Sequence, residues 1–402
     1  MRRVVKVSRI RIIITIIVVV LTTLLTGCTG KEPNEIAYVV ALGIDSTDDD
    51  NYKITIQYAN TTQISGGASE SGGKAGSEIV DNVTIEAPNI YAGVGLANNI
   101  VSKSFSMSHA KLIVFSKEIA EKGVKDMIET LVRSEEIRPD VFIAVANTTA
   151  NDYLTSVNPE MEVNPAQYYQ LIYQKNQLVG IPDGQLREFF TGLYTDNYDS
   201  ILPVAGVIEG AGGNSQNDDK GQSKDSQNEG SEGSSESLDS FESKNSDENE
   251  KEKDAEKNTS KYEYDIKNYV GGETAIEKKN KAEAIGAAVF EKDKMVGELG
   301  EVETEICKML KGDYTYSYLT YYNNDTPDIP ITVKTTQQKK PKYKIDTDKK
   351  TVDIELYIES DLYSLPADYN VENKIEDFER DVANYTSSAC LLYTSDAADE
   401  AR

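Results

Sequence analysis

The stretch Ser104 to Ala146, SFSMSHAKLIVFSKEIAEKGVKDMIETLVRSEEIRPDVFIAVA, decides the fold. Lys111 to Phe115 (KLIVF) and Val141 to Ala146 (VFIAVA) are short apolar runs that read as strands. Between them Ser116 can cap a helix on which Ile119, Val124, Met127, Ile128 and Leu131 form an apolar stripe. The result is a strand-helix-strand unit, and a stripe between two apolar strands is expected to pack on a sheet. His109 precedes the first strand, with Ser106 and Ser108 beside it. Adjacent strand residues point to opposite faces and no orienting carboxylate is identifiable, so His109 is expected to be structural.

Upstream, Tyr38 to Ile44 (YVVALGI) reads as a buried strand and Tyr52 to Tyr58 (YKITIQY) as a half-exposed one, joined in a hairpin by Asp45 to Asn51. The acidic turn is no calcium loop, because its sixth position is Asp50 where Gly is needed and its twelfth is Ile56 where Glu is needed. Thr61 to Ser77 is a Ser/Gly-rich loop and Val83 to Ala87 a short strand. Pro88 and Asn89 start a helix expected to reach Val101, with Val94, Ala97 and Val101 on one face. Gly93-Val94-Gly95 lacks a leading strand and a third glycine, so it implies a close helix contact and not a nucleotide site.

At the start of the chain, Arg2, Arg3, Lys6, Arg9 and Arg11 precede an apolar run from Ile12 to Leu25, and Leu25-Thr26-Gly27-Cys28 follows. This is the layout of a cleaved secretory signal. The run of 14 residues is short for a spanning helix, which needs about 20. The last four residues resemble the bacterial lipobox, which implies that the Cys28 thiolate receives a diacylglyceryl group and becomes the first mature residue. Two acyl chains hold a protein on a bilayer where one binds marginally.

The 375 residues after the signal suffice for two or three domains. A net charge of −26 without a basic stripe argues against a nucleic-acid partner. Three cysteines (Cys28, Cys307, Cys390) and the single His109 make neither a disulfide framework nor a zinc ligand set, so no metal or cofactor is expected. No activated nucleophile or phosphate loop is recognisable, and no enzyme activity is expected.

Glu209 to Ser260 holds 15 acidic and 6 basic residues among Ser, Gly and Asn. It cannot bury enough surface to offset its ordering entropy and reads as a disordered linker. A second domain is expected from about Tyr262. Its hairpin comprises Ala284 to Phe290 and Met295 to Leu299, followed by a helix from Glu301 to Leu310 with Val302, Ile306 and Met309 on its apolar face. Cys307 on this helix is expected to be a half-buried, inert thiol. Strands follow at Tyr314 to Tyr321, Ile329 to Thr335, Lys342 to Ile345 and Thr351 to Ile358, then a helix from about Val371. Cys390 to Glu400 (CLLYTSDAADE) is similar to a translated sequencing adapter and is read as a scar on a truncated domain.

Taken in order, Glu35-Ile36, Leu42-Gly43-Ile44-Asp45, Ser104 to Phe115 and Ile137-Arg138-Pro139-Asp140 resemble the Ger(x)C family of spore germination lipoproteins. Asn164-Pro165, the helices carrying Tyr168, Tyr169 and Ile172 and then Leu186, Phe189, Phe190 and Leu193, the strand Ile201 to Ile208, and Ala284 to Leu310 continue the likeness. The resemblance implies an α+β, multi-domain chain with mixed β-sheets packed with helices. Its divisions are a signal peptide at 1–27, an N-terminal region at 28–208, the linker at 209–261, a C-terminal domain at 262–389, and the scar at 390–402. It further implies a non-catalytic subunit of a nutrient-germinant receptor in a sporulating Gram-positive bacterium. That subunit would be anchored through Cys28 to the extracytoplasmic face of the spore inner membrane, beside membrane-embedded A-type and B-type subunits. The rival readings are a solute-binding lipoprotein of a transporter, which needs a ligand cleft between two lobes, and an envelope hydrolase, for which no carboxylate pair stands out.

Overall fold

The computed structural model describes residues 13–17, 35–49, 51–60, 80–159, 162, 164–174, 180–208, 268–274, 280–323, 326–365 and 374–400. Cys28, the Ser/Gly loop and the acidic linker lie outside the described residues.

A nine-stranded mixed sheet forms the larger layer. Its strands are β1 (Ile36–Ser46), β2 (Tyr52–Ala59), β3 (Val80–Ala87), β4 (Ser104–Ser106), β5 (Leu112–Ser116), β6 (Phe142–Ala146), β7 (Ser200–Val207), β8 (Ala282–Glu291) and β9 (Lys294–Leu299). The order is β3-β2-β1-β5-β6-β7-β8-β9, with β4 pairing parallel to the start of β1. The centre, β1-β5-β6-β7, is parallel and both flanks are antiparallel. Every residue of β5 and β6 is buried, as continuous apolar runs require when helices cover both faces.

One face holds Leu42, Ile44, Ile113, Phe115, Ile143 and Phe290, covered by α1 (Ile90–Ala97), α2 (Lys117–Lys122), α3 (Lys125–Val132) and α6 (Leu186–Leu193). The opposite face holds Val40, Leu112, Val114, Phe142 and Ala205 under α4 (Ala150–Ser156) and α5 (Pro165–Gln174). Asn89, Ser116 and Thr149 accept the N–H of Ala92, Ile119 and Asp152, capping α1, α2 and α4.

Several expectations change in three dimensions. The helix expected to run from Ser116 through Leu131 is two helices, broken where Gly123 takes φ +121° and Val124 donates its N–H to Asp293 O at 3.0 Å. Its stripe still packs on the sheet, with Ile119, Val124, Ile128 and Leu131 buried. Helix α1 ends at Ala97, short of Val101, and the Asn98 side chain accepts the Phe105 N–H at 2.8 Å. The hairpin expected to open a separate C-terminal domain extends the first sheet instead. Ala282–Glu291 pairs along β7 from Ser200↔Phe290 to Val207↔Ala282, because its alanine-rich strand is buried almost throughout.

Helix α7 (Glu301–Lys311) leads to a three-stranded antiparallel sheet of β10 (Tyr316–Asn323), β11 (Thr326–Asp346) and β12 (Thr351–Ser364). The two strands expected at Ile329 to Thr335 and Lys342 to Ile345 are one. Pro341 is accommodated where the register with β12 shifts between Lys339 and Lys342, a bulge that does not need its missing N–H. Helix α8 (Ile375–Glu400) packs Phe378 and Tyr385 beside Tyr321. It starts after Val371, which lies outside the described residues, and it continues through residues 390–400.

Candidate functional site

Asp45, the last residue of the LGID quartet, does more than open a turn. Its carboxylate accepts the N–H of Ala150 at 2.6 Å and of Asn151 at 3.0 Å, at the start of α4 on the neighbouring side of the sheet. An anion is favoured there by the exposed N–H groups and the helix dipole. Burial pushes the carboxyl above its ordinary range, and the two backbone hydrogen bonds oppose that rise. Asn151 continues the tie by donating to Thr55 and Thr84 hydroxyls at 2.9 and 3.0 Å.

Beneath α4 and α5 lies a buried polar network. Tyr169 donates to Gln57 Oε1 at 2.5 Å, Gln57 donates to Leu154 O at 2.8 Å, and the Tyr153 and Tyr173 hydroxyls meet at 3.0 Å. Asn280, from the start of the β8 hairpin, donates to Tyr168 Oη at 2.9 Å. Burial drives the Tyr153, Tyr169 and Tyr173 phenols far above the ordinary range, so they are neutral hydrogen-bonding groups.

The SFSMSHAK segment supplies β4 and the approach to β5. Ser106 and Ser108 hydroxyls lie 2.9 Å apart, but His109 is exposed and packs edge-on against Tyr38, with ring centroids 4.9 Å apart. His109 was expected to be structural, and what the structure gives it is this ring contact at the surface. Phe105 and Met107 instead line an open cavity of about 480 Å³ with Tyr91, Asn98, Arg133 and Glu136. Glu136, on its wall, accepts the Met107 N–H at 2.6 Å.

A second cavity, of about 300 Å³, lies between α6, the start of β7 and the end of α7, with Asp183, Glu188, Lys308, Lys311 and Asp313 on its walls. Desolvation raises Asp183 and Glu188 and lowers Lys308, whose Nζ donates to Ile181 O at 3.1 Å. The cavity presents both signs of charge and can hold a polar group. Sequence reading missed it because its walls come from segments more than a hundred residues apart. Lys308 lies one residue beyond Cys307, off the Val302, Ile306 and Met309 stripe, and gives no signal of its own.

Cys307 is half-buried, and burial raises its thiol, which keeps it protonated and unreactive. Among the described residues no group of three or more His, Cys, Asp or Glu could hold a metal ion. Also among the described residues, no helix is long and apolar enough to cross a membrane.

Two family models match in tandem. One described as the spore germination protein N-terminal domain covers residues 30–207. Another, spore germination B3/GerAC-like C-terminal, covers residues 285–399, and so runs through the stretch read as a scar. Together they span most of the chain. Similar curated proteins include spore germination protein KC of Bacillus subtilis (strain 168), 26% identical over 174 residues, 40% of this chain and 42% of that protein. The putative spore germination protein YfkR of the same organism is 28% identical over 145 residues, 36% of this chain and 37% of that protein. The chain spans about two fifths of the length of these curated relatives. The crystal structure of the GerBC protein aligns with 88% of this chain and 80% of its own at 15% identity, with a TM-score of 0.42.

Proposed function

Because the chain belongs to the GerAC-like family of spore germination proteins, we propose that it is the lipoprotein subunit of a nutrient-germinant receptor. The observation that carries this reading is the tandem of both family domains in order along one chain. The lipobox-like Leu25-Thr26-Gly27-Cys28 supports a diacylglyceryl anchor on Cys28, placing the folded part at the extracytoplasmic face of the spore inner membrane. Its partners are the membrane-embedded A-type and B-type subunits of the same receptor. It works by binding and support and not by catalysis. The buried polar groups described above favour this, since they secure helices to the sheet and compose no acid, base and nucleophile set.

The test is germination of spores carrying the gene or its deletion, with related receptors removed and a receptor-independent trigger as control. Loss of the nutrient response alone is expected on deletion. An unchanged response to every nutrient would overturn the reading and favour a solute-binding lipoprotein.

A further inference from the structure

Every residue lining the cavity of about 480 Å³ falls between Tyr91 and Glu136, in a stretch described without a break and inside the N-terminal family match. Its floor is apolar. Val94 on α1, Phe105 on β4 and Met107 just after it are 8%, 7% and 4% exposed, and the Phe105 ring rests edge-on against Tyr58, with centroids 5.2 Å apart. Its rim is charged: Arg133 follows the last residue of α3, and Glu135 and Glu136 lie in the next bend.

Three side chains brace these walls against each other. Asn98 Oδ1 accepts the Phe105 N–H at 2.8 Å, Glu136 Oε2 accepts the Met107 N–H at 2.6 Å, and Ser134 Oγ accepts the N–H groups of Glu136 and Ile137, both at 3.2 Å. The site is therefore formed before a ligand arrives, which lowers the ordering cost of binding. The rim keeps capacity for more. Glu136 gives one of its two carboxylate oxygens to Met107, and Arg133, with five N–H donors in all, gives one guanidinium nitrogen to Glu129 at 3.1 Å.

An uncharged apolar molecule would leave this rim unused. A plain amine would meet Arg133, and a plain carboxylate would meet two glutamates, whereas a compact head carrying both charges complements both sides. The volume is toward the lower end of the roughly 300–1,000 Å³ of small-molecule sites. We propose that the cavity binds a small zwitterion with one apolar side chain, of the class of the aliphatic and aromatic α-amino acids. The carboxylate lies on Arg133, the ammonium lies against Glu135 and Glu136, and the side chain rests on Val94, Phe105 and Met107. The isolated chain binds such a molecule whatever its role in spores, so this reading and the receptor reading stand or fall separately.

The experiment is equilibrium dialysis of the full chain in detergent against labelled leucine, glycine, isoamylamine and isocaproate. Leucine should bind saturably. The other three, which lack the side chain, the carboxylate and the ammonium in turn, should each bind at least tenfold more weakly. Arg133→Gln should weaken leucine at least tenfold and leave isoamylamine unchanged, and Glu135→Gln should weaken leucine and isoamylamine and spare isocaproate. Both positions are exposed, where losing an ion pair costs little stability, so the fold is retained. The Met107 methyl resonance, assigned by its loss in Met107→Leu, should shift when leucine is added. Absence of saturable leucine binding at millimolar concentration, equal binding of glycine, or an unmoved Met107 methyl would overturn the proposal. So would unchanged leucine affinity in either charge variant, since the rim would then take no part.

Discussion

Asp45 Oδ1 lies 2.6 Å from the backbone nitrogen of Ala150, so the penultimate residue of β1 is tied to the first turn of a helix 105 positions further along the chain. Replacing Asp45 by Ala should cost about 1.5–3 kcal/mol in urea unfolding, the range for losing hydrogen bonds to a charged group, and Asn should recover part of it. Equal stability of Asp45→Ala and the parent would show that the tie is not stabilising.

The Gln57–Tyr169 hydrogen bond is buried on both sides. Tyr169→Phe strands a buried amide oxygen and should cost about 1–3 kcal/mol, and adding Gln57→Leu, which removes that orphan but leaves Leu154 O without its donor, should cost less than the sum of the two single changes. Strict additivity of the two in a double-mutant cycle would refute the coupling.

Burial pushes Glu305 from 4.5 up to about 7, against the hydrogen bond it accepts from Ser317 Oγ at 2.9 Å. The folded chain thus holds this proton more tightly than the unfolded chain. Its stabilising contribution is complete below pH 4.5 and is lost as pH rises through about 7. Between pH 5 and 7.5, Glu305→Gln should flatten the fall in stability by on the order of 2 kcal/mol. A melting-temperature profile parallel to that of the parent would contradict this.

Removing Gly212 to Ser260 should leave the fold intact. Val207 and Ala282 are paired neighbours, and Ile208 donates to Lys281 O at 2.8 Å, so the segment closes a hairpin. Shortening it should raise stability by roughly 1 kcal/mol through loop-closure entropy. The deletion must spare Gly271 and Gly272, whose backbone lies so close to Gly206 that a Cβ there would come within 1.9 Å of Gly271. A drop of several degrees in melting temperature would show that the segment contributes to folding.

Cys28→Ala should move the protein from the membrane fraction to the soluble fraction, because each buried methylene of the lost acyl chains is worth about 0.8 kcal/mol. Full retention in membranes, measured by fractionation and blotting, would exclude the lipid anchor as the tether.

Elements whose patterns are local were legible in the chain. KLIVF and VFIAVA are strands, the Ile119 to Leu131 stripe packs on the sheet, Ser116 caps, and the ordered motifs led to the correct family. Apolar periodicity and capping chemistry act within a few residues and leave their mark on the chain. Which strands pair is set by packing in three dimensions. Most of the β8–β9 hairpin falls within the C-terminal family match, yet it completes the N-terminal sheet, because burial of its alanine-rich face depends on β7, about eighty residues earlier. The same holds for Asp45 with Ala150, Gln57 with Tyr169 and the charged cavity around Lys308: each joins groups whose partners are chosen by packing between distant segments, and no local pattern encodes that choice.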